Sequence, residues 1–504
     1  MGQSLTSKTV QGVKWSTAST IANAVIQLGY SATMARLLEP GAYGLVSMSD
    51  QIIRFGAYFA QMGLMHALIQ KKELANEDIR ASFTASFGLG LLFTAFFWLV
   101  APLAADAVFG NPQVVPILRA SAFTLLFNGL AATAAGLLRR RLDFKRVAAV
   151  ETASYVVGYA GVGLTCAFNG LGVWSIVYAA LSQSLINALL FNFVARHDLR
   201  LLFDWQYYRP LVRYGSQSSL ISFTEYFCNS FDILLIGRLL GQYPLGIYNR
   251  AFYLVYLPTY QLTHSLSKVM FSSYSQLQAQ LDKLGKAYLS SIVLIAAMVL
   301  PISLGIMAAS REMVLVLLGD QWTESIPVLG ILCVAVPFNV LSTIPAAVCS
   351  ATAHLKSKLL LKLGYVLILG GLFFLLKGYG LTGFATAVAI GEIIQTLMYG
   401  YLMHRILSIG FGSLLKGYLP GLLNGLVVAG VIFAVGTGLR SVNSPVALVF
   451  AAEVLAGGLA QTLLIFFLPH PILKVEIQKL MAKLDFSRIK NGLVNRYLGA
   501  YGKG

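Results

Sequence analysis

The sequence predicts an all-α integral membrane protein of about 14 transmembrane helices, and three observations carry that prediction. First, only 11% of its 504 residues are charged and 57% are hydrophobic, with a mean hydropathy of +0.72; soluble domains carry roughly 25% charged residues. Second, apolar segments long enough to cross ~30 Å of hydrocarbon recur along the chain. Third, one segment occurs twice, 202 residues apart: Ala35-Arg36-Leu37-Leu38-Glu39-Pro40-Gly41-Ala42-Tyr43-Gly44-Leu45 and Gly237-Arg238-Leu239-Leu240-Gly241-Gln242-Tyr243-Pro244-Leu245-Gly246-Ile247. Each copy ends one apolar segment and opens the next, and a duplicated bundle generally places its site between its repeats.

The apolar segments run at about 12–36, 43–70, 79–105, 113–138, 147–168, 171–196, 213–237, 245–271, 286–309, 325–351, 357–377, 380–403, 418–438 and 444–468. In lipid the backbone must satisfy its own hydrogen bonds, so each is expected to be a helix. The expected organisation is an N-terminal six-helix lobe (1–196), an inter-lobe linker (197–212), a C-terminal six-helix lobe (213–405), two further helices (406–469) and a basic tail (470–504). Met1 to Thr9 is short and polar with no small-residue cleavage site, so the first helix is expected to stay as an anchor.

Charge sets the expected orientation. With the N-terminus inside, 28 of the 37 basic residues fall on inward segments and five on outward ones, as the positive-inside rule requires. The bias accounts for the net charge of +17 without nucleic acid. In the tail, Ile472, Val475, Ile477, Leu480, Leu484 and Ile489 alternate with lysines, the pattern of a helix lying on anionic lipid. Cys166, Cys228, Cys333 and Cys349 lie in apolar stretches without metal-ligand spacing and read as reduced, buried thiols.

Four segments carry polar stripes. On the first, Ser16, Thr20, Asn23, Gln27 and Tyr30 share one helical face. Adding 202 gives Ser218, Ser222, Glu225, Asn229 and Asp232 on the seventh, all polar again. On the second, Ser47, Gln51, Arg54, Tyr58 and Gln61 form a stripe beside Asp50, matched on the eighth by Asn249, Tyr253, Tyr256, Tyr260 and Thr263. Small polar residues can simply join helices, but that does not explain Arg54, Glu225, Asp232 and Arg250, because intramembrane charges normally face water or a partner. A substrate cavity walled by these four helices is therefore expected. Asp50 and Arg54, four apart, can neutralise each other; Asp232 and Arg250 can pair across the helical hairpin. Glu225, Asp50 and His264 are the candidate coupling groups, each with a structural alternative: hydrogen-bonded acid, ion-pair partner and packing histidine.

The first repeat, Met62-Gly63-Leu64, Leu137 to Phe144, Gly172-Val173-Trp174-Ser175, Leu234 to Arg238, Leu245 to Ala251, and Leu317 to Trp322 occur in that order. Together these motifs resemble the polysaccharide transport family of the multidrug/oligosaccharidyl-lipid/polysaccharide exporter superfamily. The resemblance covers about residues 10–405 and is similar in kind to Wzx-type flippases. It implies two pseudo-symmetric six-helix lobes around a central cavity, plus the two C-terminal helices, and no enzymatic site or cofactor. It also implies a polyprenyl-diphosphate-linked oligosaccharide substrate at the bacterial inner membrane, with polysaccharide polymerase and chain-length machinery as partners and H+ or Na+ coupling. Tyr58, Tyr253, Tyr256 and Tyr260 offer faces to sugar rings, and Arg54 and Arg250 offer charge to a diphosphate. The acids Asp50, Glu225 and Asp232 depart from a purely cationic cavity. A drug/cation antiporter of the same superfamily also fits the duplication and Glu225. A membrane polymerase or ligase needs a long outward loop, whereas the longest outward connection runs only from Ser310 to Glu324. Reporter fusions after Arg146, after Arg213 and at the C-terminus should all read as cytoplasmic; a periplasmic C-terminus would require an odd number of spans.

Overall fold

The computed structural model describes residues 26–61, 68, 74–204, 206–207, 223–466 and 473–475. Among these residues the secondary structure is helical, with no strand. We number the helices α1 (26–37), α2 (Pro40–Gln61), α3 (Asn76–Phe109), α4 (Val114–Arg140), α5 (Phe144–Phe168), α6 (Trp174–Ala195), α7 (Phe231–Leu240) and α8 (Gln242–Gln276). They continue with α9 (Leu281–Ala308), α10 (Ser310–Leu317), α11 (Ser325–Ala351), α12 (Leu355–Leu376), α13 (Gly380–Leu407), α14 (Phe411–Ser441) and α15 (Val446–Phe466). Residues 223–229 form a helical lead-in to α7, interrupted at Ser230.

Each expected segment overlaps one of these helices. Nine stretches of the described residues are long and apolar enough to span a membrane, one of which, Leu355–Leu407, runs over α12 and α13. Over the described residues, α2 and the 35-residue α8 are not among the nine; in α8 the polar stripe lowers the hydropathy. The four cysteines are thiols, three of them buried. The tail beyond residue 475 lies outside the described residues.

The chain forms two compact units. One comprises residues 1–251, 314–328 and 366–385; the other comprises 252–313, 329–365 and 386–504. In the first, α3 and α4 pack closely because glycine replaces side chain where the backbones meet: a Cβ at Gly90 would lie 2.9 Å from the Leu125 carbonyl oxygen. Small residues allow this approach in membranes, where dispersion rather than hydrophobicity drives helix association. On α4, Ala131, Ala134 and Ala135 meet Ala188 and Phe191 of α6 in one buried cluster. Helix α5 widens to a π-helix over Val156–Gly163. That winding brings Gly158 and Gly163, five apart, toward α6: their Cβ positions would lie 2.6 Å from the Gln183 nitrogen and 2.9 Å from the Ala179 Cβ.

In the second unit, α14 lies along α9, and Gly417, Gly421 and Gly425 face Ile292, Ala296 and Leu300 respectively. Spacing of four puts the three glycines on one face. Ala309, Val428 and Ile432 continue the contact, with Ala460 and Leu464 of α15 packed against them.

The segment after α6 is strapped to the start of α3. Arg80 donates to the carbonyls of Arg200 (3.2 Å) and Leu201 (3.1 Å) and lies 3.8 Å from the Asp198 carboxylate. The backbone N–H of Arg200 holds the Asp198 carboxyl below the usual carboxylate range. Burial pushes the His197 imidazole below its ordinary value; its ring meets Phe83 edge-on at 5.6 Å and its Nε2 is buried without a hydrogen bond. Arg80→Ala removes both donors and should loosen the strap by about 1–2 kcal/mol, its partial exposure discounted. Limited proteolysis between residues 197 and 204 reads this as faster cleavage. Because the folded state favours neutral His197, the strap's stability is present above pH ~6.5 and falls as pH drops below it. Cleavage at pH 5.5 should therefore exceed cleavage at pH 7.5.

Candidate functional site

The duplicated segment folds onto its own copy. A side chain at Gly44 would run into the backbone carbonyl of Gln242, and one at Gly246 would run into the carbonyl of Pro40. Since 242 is 40 plus 202 and 246 is 44 plus 202, the two contacts are one contact seen from both sides of an internal two-fold axis. The two-fold also runs through a matched pair, because Asn249 Nδ2 donates to Ser47 Oγ, its own counterpart at the 202 offset. The starts of α2 and α8 thus cross with glycine against backbone, and Ser47 and Asn249, the first residues of their stripes, meet there.

The loop motif Leu317 to Trp322 completes this crossing. The last carbonyls of α1 have no partner within the helix. Trp322 Nε1 donates to Ala35 O at 2.7 Å, and Gln321 Nε2 donates to the same carbonyl and to Leu38 O (3.2 Å). Arg36 donates in return to Val316 O at 2.5 Å. Gly319, at φ +101, takes the turn between them in a conformation other residues rarely adopt. Trp322 is fully buried, and its ring meets Tyr43 edge-on at 5.4 Å.

Tyr43 carries Arg250 on its ring. The guanidinium carbon lies 3.8 Å from the ring centroid, and Nη1 donates to Ser31 Oγ at 2.9 Å. This holds a cation between helices by a π face and a hydroxyl. Asp232 accepts from the Tyr248 hydroxyl at 2.5 Å. Tyr248 and Arg250 are two apart on α8 and so project to opposite sides, which is why the tyrosine serves Asp232 while the arginine turns to α1 and α2.

The other expected cavity residues take the following places. Gln51 is buried on α2 and accepts from the Tyr226 hydroxyl. Asp50 and Arg54 are exposed on α2, one turn apart; Gln27 on α1 and Glu225 on the lead-in to α7 are partly buried, and Asn229 is exposed. In the second unit, Tyr253 is partly buried, and Tyr256 and Tyr260 stack at 4.9 Å with planes 20° apart, Phe252 extending the ladder at 5.2 Å from Tyr256. Asn23 lies outside the described residues, as do the side chains of Tyr58 and His264.

Two features were not anticipated. Tyr30 meets Tyr155 and Tyr159 edge-on at 6.4 and 5.0 Å, while Tyr155 and Tyr159 stack at 4.7 Å where α5 becomes a π-helix. In the second unit Glu392 of α13 is buried and accepts from Asn339 (2.9 Å) and Tyr365 (3.0 Å). Its signal was available: a lone acid in an apolar run is a functional candidate by default. It was missed because the 202 offset puts Leu190 opposite it, so no stripe is duplicated there.

The family model described as "Polysaccharide biosynthesis protein" matches residues 33–327, a span that contains both copies of the repeat and the Trp322 latch. The chain belongs to that family. Among curated relatives, the lipopolysaccharide biosynthesis protein WzxC of Escherichia coli strain K12 is 26% identical over 66% of this chain and 67% of its own length. The teichuronic acid biosynthesis protein TuaB of Bacillus subtilis strain 168 is 22% identical over 85% of this chain and 90% of its own. In fold, the chain resembles the lipid II flippase MurJ in its inward closed conformation, with a TM-score of 0.71 and 13% identity over 93% of this chain and 100% of that one. It also resembles an inward-facing multidrug resistance MATE family transporter (TM-score 0.61, 15% identity, 78% and 98% coverage). The fold is therefore that of the MurJ and MATE transporters.

Gly246→Leu should force α2 and α8 apart and cost more than the ~1–3 kcal/mol of ordinary overpacking, since the obstacle is backbone. Trp322→Phe removes the indole N–H and part of the buried ring, so it leaves the Ala35 carbonyl one donor short, a loss of about 1 kcal/mol from the hydrogen bond alone. Thermal unfolding of the purified protein should rank wild type above Trp322→Phe and Trp322→Phe above Gly246→Leu.

Proposed function

We propose that this protein moves polyprenyl-diphosphate-linked oligosaccharides across the bacterial inner membrane by alternating access, for exopolysaccharide, capsule or O-antigen assembly. The observation that carries the reading is the duplicated polar crossing of α1, α2, α7 and α8, found in a chain of the polysaccharide biosynthesis family. Relatives named for lipopolysaccharide and teichuronic acid biosynthesis support the same class of cargo. The proposed arrangement has two six-helix lobes (1–196 and 213–405) around a central cavity, with both termini cytoplasmic. The protein acts as a transporter rather than an enzyme, and its proposed partners are the polymerase and chain-length machinery that consume the cargo.

The physics of the step follows from the cargo's sign. A diphosphate carries negative charge outward across a membrane that is negative inside, so the potential assists by ~2.3 kcal/mol per charge per 100 mV. The protein's work is to replace headgroup hydration inside the bilayer. Arg54 supplies charge-assisted hydrogen bonds to the diphosphate, and Arg250, held between Tyr43 and Ser31, supplies a second cation toward the exit. The Tyr256 and Tyr260 ladder offers sugar-stacking faces. Glu225 takes up H+ or Na+ during the cycle, with Asp50 and His264 as further groups on the same path.

In cells dependent on this protein, Arg54→Ala should abolish polymer output at normal expression, and lipid-linked repeat units should accumulate on the inner leaflet. Arg54→Lys should restore output only in part, because the bidentate fork is lost. Glu225→Gln should uncouple transport from the ion gradient while leaving substrate binding intact. Wild-type output from both Arg54→Ala and Glu225→Gln would sink this mechanism. A drug/cation antiporter would instead leave polymer output untouched on deletion and change efflux of cationic dyes.

A further inference from the structure

The second unit contains a buried charge cluster far in sequence from the polar stripes. Glu312 on α10 and Glu453 on α15 are 3% and 0% exposed, and both flank the guanidinium of Arg440 on α14. Arg440 Nε lies 3.4 Å from Glu312 Oε1 and its Nη2 lies 3.7 Å from Glu453 Oε1. The same Nε donates to the Gly436 carbonyl at 3.0 Å, which fixes the guanidinium against its own helix. Two carboxylates thus share one cation.

The carboxylate oxygens are short of donors. Both oxygens of Glu453 and Oε2 of Glu312 are buried and accept no hydrogen bond. Glu453 nevertheless points straight at α14: a side chain at Gly436 would collide with its Oε1 and lie 2.6 Å from Arg440 Nη2. Glycine at 436 therefore leaves room for this carboxylate. Burying an ionised carboxylate without donors is among the costliest arrangements in a protein.

The fold decides which acid keeps its charge. Glu312 lies in the first turn of α10, where the helix dipole favours an anion, and Arg440 lies in the last turn of α14, where it favours a cation. Glu453 is in the second turn of α15 and receives no such help. The remaining charged or titratable groups on the packed elements lie elsewhere. Arg311 is exposed. Asp282, Lys283, Lys286 and Tyr288 of α9, and Lys416 and Tyr418 of α14, are at the opposite ends of those helices, ~30 Å away at 1.5 Å per residue.

We propose that Glu453 holds an exchangeable proton at the end of the bundle where α14 turns into α15, while Glu312 stays ionised against Arg440. The proton turns one Glu453 oxygen into a donor and removes one of the two negative charges that face Arg440. It leaves a neutral cluster of one anion and one cation. Arg440, whose side chain is 33% exposed, links the cluster to the surface. The site shares no residue with the polar stripes and gives the last two helices a titratable group independent of which cargo is carried.

The test is thermal unfolding of the full-length protein in detergent, from pH 5 to pH 9, for wild type and Glu453→Gln. A proton bound only in the folded state is lost as pH rises, and its stabilisation goes with it. The wild-type midpoint should therefore fall relative to Glu453→Gln across this range, with the variant the more stable at pH 9. Arg440→Gln should steepen the fall, because two acids then lack a cation. Glu312→Gln should flatten it, because Arg440 is freed to pair with Glu453; this variant also answers the question if Glu453→Gln does not fold. A wild-type-minus-variant difference that is constant with pH overturns the proposal. So does a difference that responds to replacing Na+ with choline at fixed pH, which would mark a metal-cation site.

Discussion

Close approach of backbone to backbone at Gly44 and Gly246 is the constraint on which the first unit depends. With any side chain at either position, α2 and α8 could not cross where they do. That crossing brings Ser47 to Asn249, lets Arg250 reach Ser31 and the Tyr43 ring, and leaves Tyr43 open on its other edge to Trp322. In water, a contact of this kind would be supported by hydrophobic burial. In lipid it is supported by dispersion and by the polar groups it satisfies, so the glycines and the polar residues around them form one design.

The latch made by Gln321 and Trp322 shows how a short connection can govern a membrane helix. A helix that ends near the membrane surface exposes four carbonyls, and here donors from a segment about 280 residues away meet those of α1. Its cost is a turn that only glycine adopts easily, at Gly319. The connection is thus an integral part of the repeat's packing, although it is short and carries no catalytic constellation.

Much of the architecture was legible in the sequence because lipid imposes simple rules. Length and hydropathy marked the helices, and the 202-residue offset anticipated that Ser47 and Asn249 occupy equivalent places. What periodicity could not supply was rotation about a helix axis to within one residue. Asp232 and Arg250 matched in depth, yet Tyr248, two residues earlier, faces Asp232. The π-helix at Val156–Gly163 was invisible for a related reason: its sequence, Val-Val-Gly-Tyr-Ala-Gly-Val-Gly, reads as ordinary apolar helix, and only packing against α6 selects the wider winding. Glu312 and Glu453 were passed over because they belong to no stripe.

The Ser47–Asn249 hydrogen bond carries a historical implication. In a dimer of identical subunits, a residue on the two-fold axis meets itself, so the pair must be self-complementary: serine against serine, or asparagine against asparagine. Here one copy is a small hydroxyl and the other an amide that donates to it. A pairing of unlike residues at that point requires two copies that can mutate independently, as the two halves of one chain can. The axis of the repeat is therefore a place where the two halves of this chain depart from identity, and where a symmetric contact acquires a donor side and an acceptor side.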